Sequence, residues 1–467
     1  MPRARSTPAA ARLAALFLAA ALPLIVLGWD RGRGVHDQAN YHLPAILRFA
    51  EELPRPNLSD YDSATTPGYH LALAAVARLV SSEARVLQLA SVAFTLGLLV
   101  LLVRGVARRS AGIDPLVLCL PMACSLYVFS SGAWLLPDNA GWLGVLGVLL
   151  LALRPRQDGR TLIAAGAVLA ALVFVRQIHL WAAAPIWAAA LLPPLQEGRG
   201  GVGHDSEAPP SPPTPPRPSP EWEGVIRRLF LAVLATLPAF AIVAGFVLLW
   251  GGLTPPTFQK KLHGGNPAAP AFILSVAACL GVFFAPMLAG TLRGLWRERR
   301  GLVLAAAGAG LVLAAVPETT FSTPHGRYSG LWNLVRALDA LDVADRTSPV
   351  LLVLAPIGAV LLLALLAAQA TRERLVFGAA LLGFIAAQAA SRDLWQRYTE
   401  PFLLMAIPLM AARLPAPSRL ARVGPHLLAG ALAAVTVASL AMSKPATVIP
   451  PDQDPARSVQ PAPINAR

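Results

Sequence analysis

Apolar runs long enough to cross a bilayer recur along this chain, and that recurrence limits its fold more than any other feature. A membrane-crossing helix needs roughly 20 mostly apolar residues, fewer where neighbouring helices shelter it. Such runs lie near 11–28, 86–103, 115–134, 140–153, 161–176, 178–194, 226–250, 270–292, 301–316, 350–369, 375–390, 400–413 and 425–442. They predict an all-α polytopic membrane protein, a bundle of about 13 transmembrane helices with a long first extracytoplasmic loop. Only 14% of the residues are charged, whereas soluble domains carry roughly 25%. The net charge of +14 would suggest nucleic acid in a soluble protein. Here basic loops on the cytoplasmic side of a membrane account for it, and no nucleic-acid partner is expected.

The arginine clusters set the orientation. The first run follows Met1-Pro2-Arg3-Ala4-Arg5. A signal peptide is the rival reading, but Trp29-Asp30-Arg31 offers no small-residue cleavage site, so an uncleaved first span with its N-terminus inside is expected. The stretch 67–80 is short and carries Tyr69, His70 and Arg78, which reads as a juxtamembrane or re-entrant element. With that stretch not crossing, the basic connections 104–109, 154–160, 293–300, 371–374 and 413–422 all fall in the cytoplasm. If it crossed, all of them would move outside.

The chain then divides into an N-terminal transmembrane module (1–194), whose first outer loop is 29–66, and a C-terminal one (225–442). A Pro-rich cytoplasmic linker (195–224) joins them, and a Pro-rich tail (443–467) follows outside. Proline at that density removes backbone donors and favours extended, solvated chain. Cys119, Cys124 and Cys279 lie in apolar runs without CxxC spacing, so they read as buried apolar residues and no structural metal is expected.

Polar residues that a bundle does not require gather in the outer loops. The first holds Asp37, His42, Asp60 and Asp62; later ones hold Asp138, Arg176-Gln177, Lys260-Lys261, His263, His325, Arg327-Tyr328 and Arg397. Ionisable groups beside apolar spans are costly unless paired or lining an aqueous cavity, while interfacial anchoring accounts for some Trp, Tyr, Lys and Arg. A carboxylate able to take a proton from a hydroxyl, with cations to hold a departing phosphate, is what sugar transfer from a lipid phosphate needs. Asp37 is the first choice for the base. An Asp capping a helix that begins near Asn40 is the structural alternative. Asp60-Tyr61-Asp62 has the DxD spacing of metal-dependent transferases, but Lys and Arg alone suffice for a monophosphate. For the phosphate, Lys260, Lys261, Arg327 and Arg397 are expected, with His263 and His325 as supporting donors. At Arg176-Gln177 snorkelling competes with substrate binding.

The stretch His36-Asp37-Gln38-Ala39-Asn40-Tyr41-His42-Leu43-Pro44, followed by Thr65-Thr66-Pro67-Gly68-Tyr69, resembles the first lumenal loop of the alpha-1,2-glucosyltransferases that add the terminal glucose to dolichol-linked oligosaccharide. That family reads Asp-Glu near His-x-Pro, then Trp-Asp, Thr-Thr and Pro-Gly. Asp138 is similar in place to its acidic residue after an aromatic run, and Arg176-Gln177 to its Arg-Gln-Thr-Asn. Lys261–His263 resembles its Asp-Lys-Ser-x-His loop, His325–Ser329 its Asn-Arg-His-Tyr segment, and Arg397-Tyr398 through Pro401 its Arg-Tyr with the following Pro.

The resemblance implies a GT-C glycosyltransferase-like fold in a multi-pass protein, with the active site facing the periplasm of a bacterial inner membrane. It implies an inverting, metal-independent hexosyltransferase with no cofactor, which moves a hexose, glucose favoured, from a polyprenyl-phosphate-linked sugar donor to a glycan or glycolipid acceptor. Its base is Asp37, Asp62 or Asp60. Its donor and substrate contacts are Lys260, Lys261, His263, His325, Arg327, Tyr328, Arg397, Arg176, Gln177, Asp138 and His42. The chain departs from the pattern at Gln38, which stands for the family's Glu, in an extra residue between Asp37 and His42, and in the reversed order of His325 and Arg327. Transferases acting on lipid A, cell-wall glycan or protein acceptors share the Asp-containing first loop. A lipid-linked sugar flippase or transporter is the alternative from another class, and would instead place polar residues near the midplane of broken, repeated helices.

Overall fold

The computed structural model describes residues 3–110, 112–192, 220–259, 264–415 and 418–447. Among these the chain is helical, with isolated bridges and no strand. Six helices are long and apolar enough to cross a membrane: Thr7–Leu27, Ala84–Ala107, Glu223–Trp250, Ala269–Glu298, Pro349–Ala367 and Arg419–Ala441. A seventh crossing arises if Pro115–Cys124 and Leu126–Ala133, bent by 70° at Ser125, count as one span. The protein is thus a multi-pass helical membrane protein.

The count of 13 spans is not reproduced by length and composition. Asp138–Ala152, Gly159–Val175 and Arg300–Ala315 have 15, 17 and 16 residues. At 1.5 Å per residue such helices reach about 22–26 Å, short of a hydrocarbon layer about 30 Å thick. Glu400–Ala411 has 12 residues, all buried. A helix wrapped by protein on every side faces no lipid, so its length need not match the bilayer. The run 178–194 is likewise a 3-10 turn, Gln177–Ala182, followed by the short helix Ala183–Ala190.

The loops sort into two groups, each tied together. At one end Arg109 donates to both oxygens of Glu373 at 2.9 Å and to the Leu409 carbonyl at 2.9 Å. Arg413 adds a third bond to Glu373 at 2.7 Å, and Arg372 reaches the Pro155 carbonyl at 2.8 Å. Four of the five basic connections therefore meet in one place. At the other end, Asp37 meets Arg397, Asp60 meets Thr257, and Asn266 bonds the carbonyls of His325 and Arg392.

At this second end, the stretch 67–80 forms the helix Gly68–Leu79 without carrying the chain across. Gly28, after the first span, lies against the Arg85 guanidinium at the start of the next. The first span's end and the second span's beginning thus share one face. Labelling of engineered cysteines from outside intact cells should reach sites in 29–66 and 318–345 and miss sites in 200–220. Labelling in 200–220 would invert the orientation and move every outer-loop residue to the wrong compartment. Those linker positions, up to residue 219, and the tail from 448 lie outside the described residues.

Candidate functional site

Residues 33–52 are one helical stretch with a defect in the middle. Arg33–Asp37 is α-helical, Gln38–His42 is a π turn, and Leu43–Glu52 is α-helical again. In an α-helix, residues five apart would point about 140° away from each other. A π turn, closed by i→i+5 bonds, brings them towards one face, and such turns recur at functional sites. Asp37 and His42 both line the large cavity at this end.

Close packing fixes the turn. A Cβ on Gly34 would sit 2.7 Å from the Trp134 ring, so only glycine lets the stretch lie against that indole. Gln38 is buried, and its Oε1 accepts from Gln88 at 2.9 Å and from the Leu135 amide at 3.0 Å. Gln38 therefore staples the loop to its neighbours.

Asp37 makes no capping bond to the turn after it. Its carboxylate instead accepts from Arg397 at 2.5 Å. Arg397 also donates to the Tyr398 hydroxyl at 2.9 Å and lies 4.2 Å from the Trp395 ring. Arg176 lies 4.8 Å from the Tyr398 ring and is paired with Asp138. An unbroken chain of contacts thus runs Asp37–Arg397–Tyr398–Arg176–Asp138. Arg33 extends it, stacking on Trp395 at 5.0 Å and on Tyr328 at 5.1 Å while donating to the Tyr328 hydroxyl at 2.9 Å. Aromatic faces hold guanidinium groups in place without neutralising them.

These groups wall one end of a cavity of about 1570 Å³. Ligand pockets for one small molecule occupy about 300–1,000 Å³, so this one has room for two. Five cationic side chains, Arg33, Arg176, Arg392, Arg397 and Lys444, line it against three carboxylates, Asp37, Asp138 and Asp393. The balance favours an anionic occupant. Away from the charges the wall turns apolar, with Trp181, Trp187, Phe240, Val243, Ala386 and Ala387. Phe240 and Val243 belong to Glu223–Trp250, one of the helices long and apolar enough to cross a membrane.

His42 sits among these charges as a neutral ring. Burial lowers its pKa to about 3, and Arg397 and Arg176 push the same way against Asp138. No family model, curated protein or solved structure matches this chain. The resemblance to the glucosyltransferases rests on its motifs alone.

The expected residues divide. Asp37, His42, Asp138, Arg176, Gln177, Tyr328 and Arg397 line the cavity. Gln177 does so while its amide is committed to Ala64 O, Leu253 O and the Thr66 amide at 2.8–3.0 Å, which makes it a brace. Asp60 and Asp62 are not in the cavity wall. Asp60 accepts the Thr257 hydroxyl at 2.7 Å and its amide at 3.3 Å, which fastens the first loop to the loop after Trp250. Among the described residues no three His, Cys, Asp or Glu side chains group to hold a metal ion.

Arg327 and His325 also lie off the wall. The segment Ser322–Arg327 folds back on itself, so His325 meets the Ser322 hydroxyl at 2.8 Å. Arg327, 3% exposed, turns inward to Glu318 at 2.6 Å. That pairing holds the Glu318 carboxyl below its usual range although burial opposes its charge. Tyr328, one residue on, faces the cavity instead. Lys260, Lys261 and His263 lie outside the described residues. Sequence reasoning missed Arg33 and Lys444. Arg33 had a signal in the glycines on either side of it within the first outer loop; Lys444 had only its place just after the last span.

Proposed function

We propose that this protein is a GT-C-type membrane glycosyltransferase that moves a hexose from a polyprenyl-phosphate sugar to an acceptor hydroxyl at the non-cytoplasmic face. One observation carries the reading: a single cavity joins the carboxylate and guanidinium cluster to an apolar limb beside a membrane span. A lipid phosphate is amphipathic in the same sense. Its phosphate suits Arg397, Arg33 and Arg176, since planar guanidiniums engage two oxygens at once, and its chain suits the wall of Trp181, Trp187 and Phe240.

In this reading Asp37 takes the proton of the acceptor hydroxyl as that oxygen bonds to the anomeric carbon. The bond from that carbon to the phosphate oxygen breaks on the opposite side, and the leaving phosphate carries away the electron pair. In the structure Arg397 engages the Asp37 carboxylate. A phosphate that claims Arg397 weakens the pair, so donor binding readies the base for the acceptor. The inverting outcome, the preference for glucose and the setting of a bacterial inner membrane with the site towards the periplasm follow from the resemblance.

Purified protein in lipid nanodiscs, given labelled polyprenyl-phosphate hexoses and extracted glycolipid acceptors, should transfer label to an acceptor and release polyprenyl phosphate. Movement of intact donor between leaflets without its consumption would overturn the reading in favour of a flippase.

A further inference from the structure

Beside the charged chain lies a pair of histidines. His42 Nδ1 is 3.0 Å from His70 Nε2, and the rings stack with centroids 5.2 Å apart and planes 26° from parallel. His70 is fully buried in the helix Gly68–Leu79, with Tyr61 and Tyr69 edge-on to its ring. Its other nitrogen, Nδ1, is buried with no hydrogen-bond partner. The helix start is held against the end of the helix Gly159–Val175 at two consecutive carbonyls. A Cβ on Gly68 would lie 2.6 Å from the Phe174 carbonyl, and Thr66 just before it bonds the Val173 carbonyl at 2.7 Å. His70 therefore has little freedom to turn away from His42.

One proton is shared between the two facing nitrogens, and its side determines what His42 offers the cavity. If His42 donated from Nδ1, His70 would carry its own hydrogen on the orphaned Nδ1, a buried N–H with no acceptor. If His70 donates from Nε2, the orphaned atom is a bare lone pair. Orphaned buried N–H groups are rarer than under-satisfied acceptors, so the second arrangement is favoured. Burial keeps both rings neutral, so neither takes a second proton that would blur the choice.

We propose that His70 is a positioning residue that locks His42 as the tautomer protonated on Nε2, so that His42 donates a hydrogen bond from Nε2 to a phosphate oxygen of the cavity's lipid ligand. The ligand rests on the function proposed above; the tautomer does not. A neutral imidazole serves here better than an imidazolium. It polarises an oxygen without adding another cation to a site that already holds Arg397 and Arg176, and which nitrogen donates is set by the bond the other one makes.

The test begins without ligand. Nitrogen-15 NMR of histidine-labelled protein in nanodiscs reports which ring nitrogen is protonated, and the His42 signals are those lost in His42→Gln. Wild-type His42 should be protonated on Nε2; protonation on Nδ1 overturns the proposal. His70→Gln places an amide N–H near the position of the imidazole Nε2–H, and should keep both the tautomer and the affinity for polyprenyl monophosphate. His70→Leu should let His42 mix tautomers and weaken that affinity by up to about tenfold, the worth of one hydrogen bond. His70→Leu protein that stays wholly in the Nε2–H form with unchanged affinity removes the positioning role. If His70→Leu does not fold, the wild-type spectrum and the His70→Gln comparison still decide. Wild-type protein that shows the Nε2–H form but binds no polyprenyl phosphate would overturn the ligand assignment and leave the tautomer standing.

Discussion

Asp37→Asn should insert, fold and bind the lipid donor at least as tightly as the parent, yet transfer the sugar at least roughly a hundredfold more slowly. A positioned carboxylate that takes a proton from a hydroxyl contributes ~10²–10⁴-fold, and asparagine keeps its shape without its basicity. Asn retains a carbonyl oxygen where the carboxylate meets Arg397, and Trp395 and Tyr398 still hold the guanidinium. The variant therefore separates chemistry from architecture. Had Asp37 been a helix cap, Asn would be nearly as good and nothing would change. The carboxylate makes no capping bond, which already weakens that alternative. Asp60→Asn and Asp62→Asn are the matched controls. Neither residue lines the cavity, so both should keep a transfer rate near that of the parent. The measurements are initial rate at saturating donor and the melting temperature in detergent. A folded Asp37→Asn protein with near-normal transfer would return the search for the base to Asp138, a cavity carboxylate paired with Arg176.

The helical, multi-pass character of the chain was legible because lipid imposes a length and polarity rule on each crossing. The count was not, since that rule applies only to helices that face lipid. Glu400–Ala411 reads as a span in sequence and is a short buried strut in the fold. Asp37 and Arg397 were legible as candidates by residue type and by which face of the membrane they share. Their pairing was not, because 360 residues separate them and no local pattern encodes that contact. Neighbours along the chain were harder still. Arg327 and Tyr328 sit side by side, yet the turn at Ser322–Arg327 sends the first inward to Glu318 and leaves the second facing the cavity. Charge pointed to the arginine; backbone geometry chose the tyrosine.

The largest loss of stability should come from Asp138→Ala. Asp138 and Arg176 form an ion pair with side chains only 9% and 8% exposed. Removing one member of such a pair leaves the other charge buried and uncompensated, at a cost of about 3–5 kcal/mol. The Tyr398 ring holds Arg176 without neutralising it. Asp138→Ala should therefore lower the melting temperature markedly, and a variant that melts with the parent would sink this account of the pair. A double variant, Asp138→Leu with Arg176→Met, removes both charges at once and should recover most of the lost stability, since apolar pairs of similar size replace buried ion pairs at little or no cost. Transfer is the discriminating readout. If Arg176 serves only to balance Asp138, the double variant regains activity along with stability. If it also holds Tyr398 and the ligand's phosphate, the double variant folds and stays slow, and the contact chain from Asp138 to Asp37 is then a working part of the site as well as a brace.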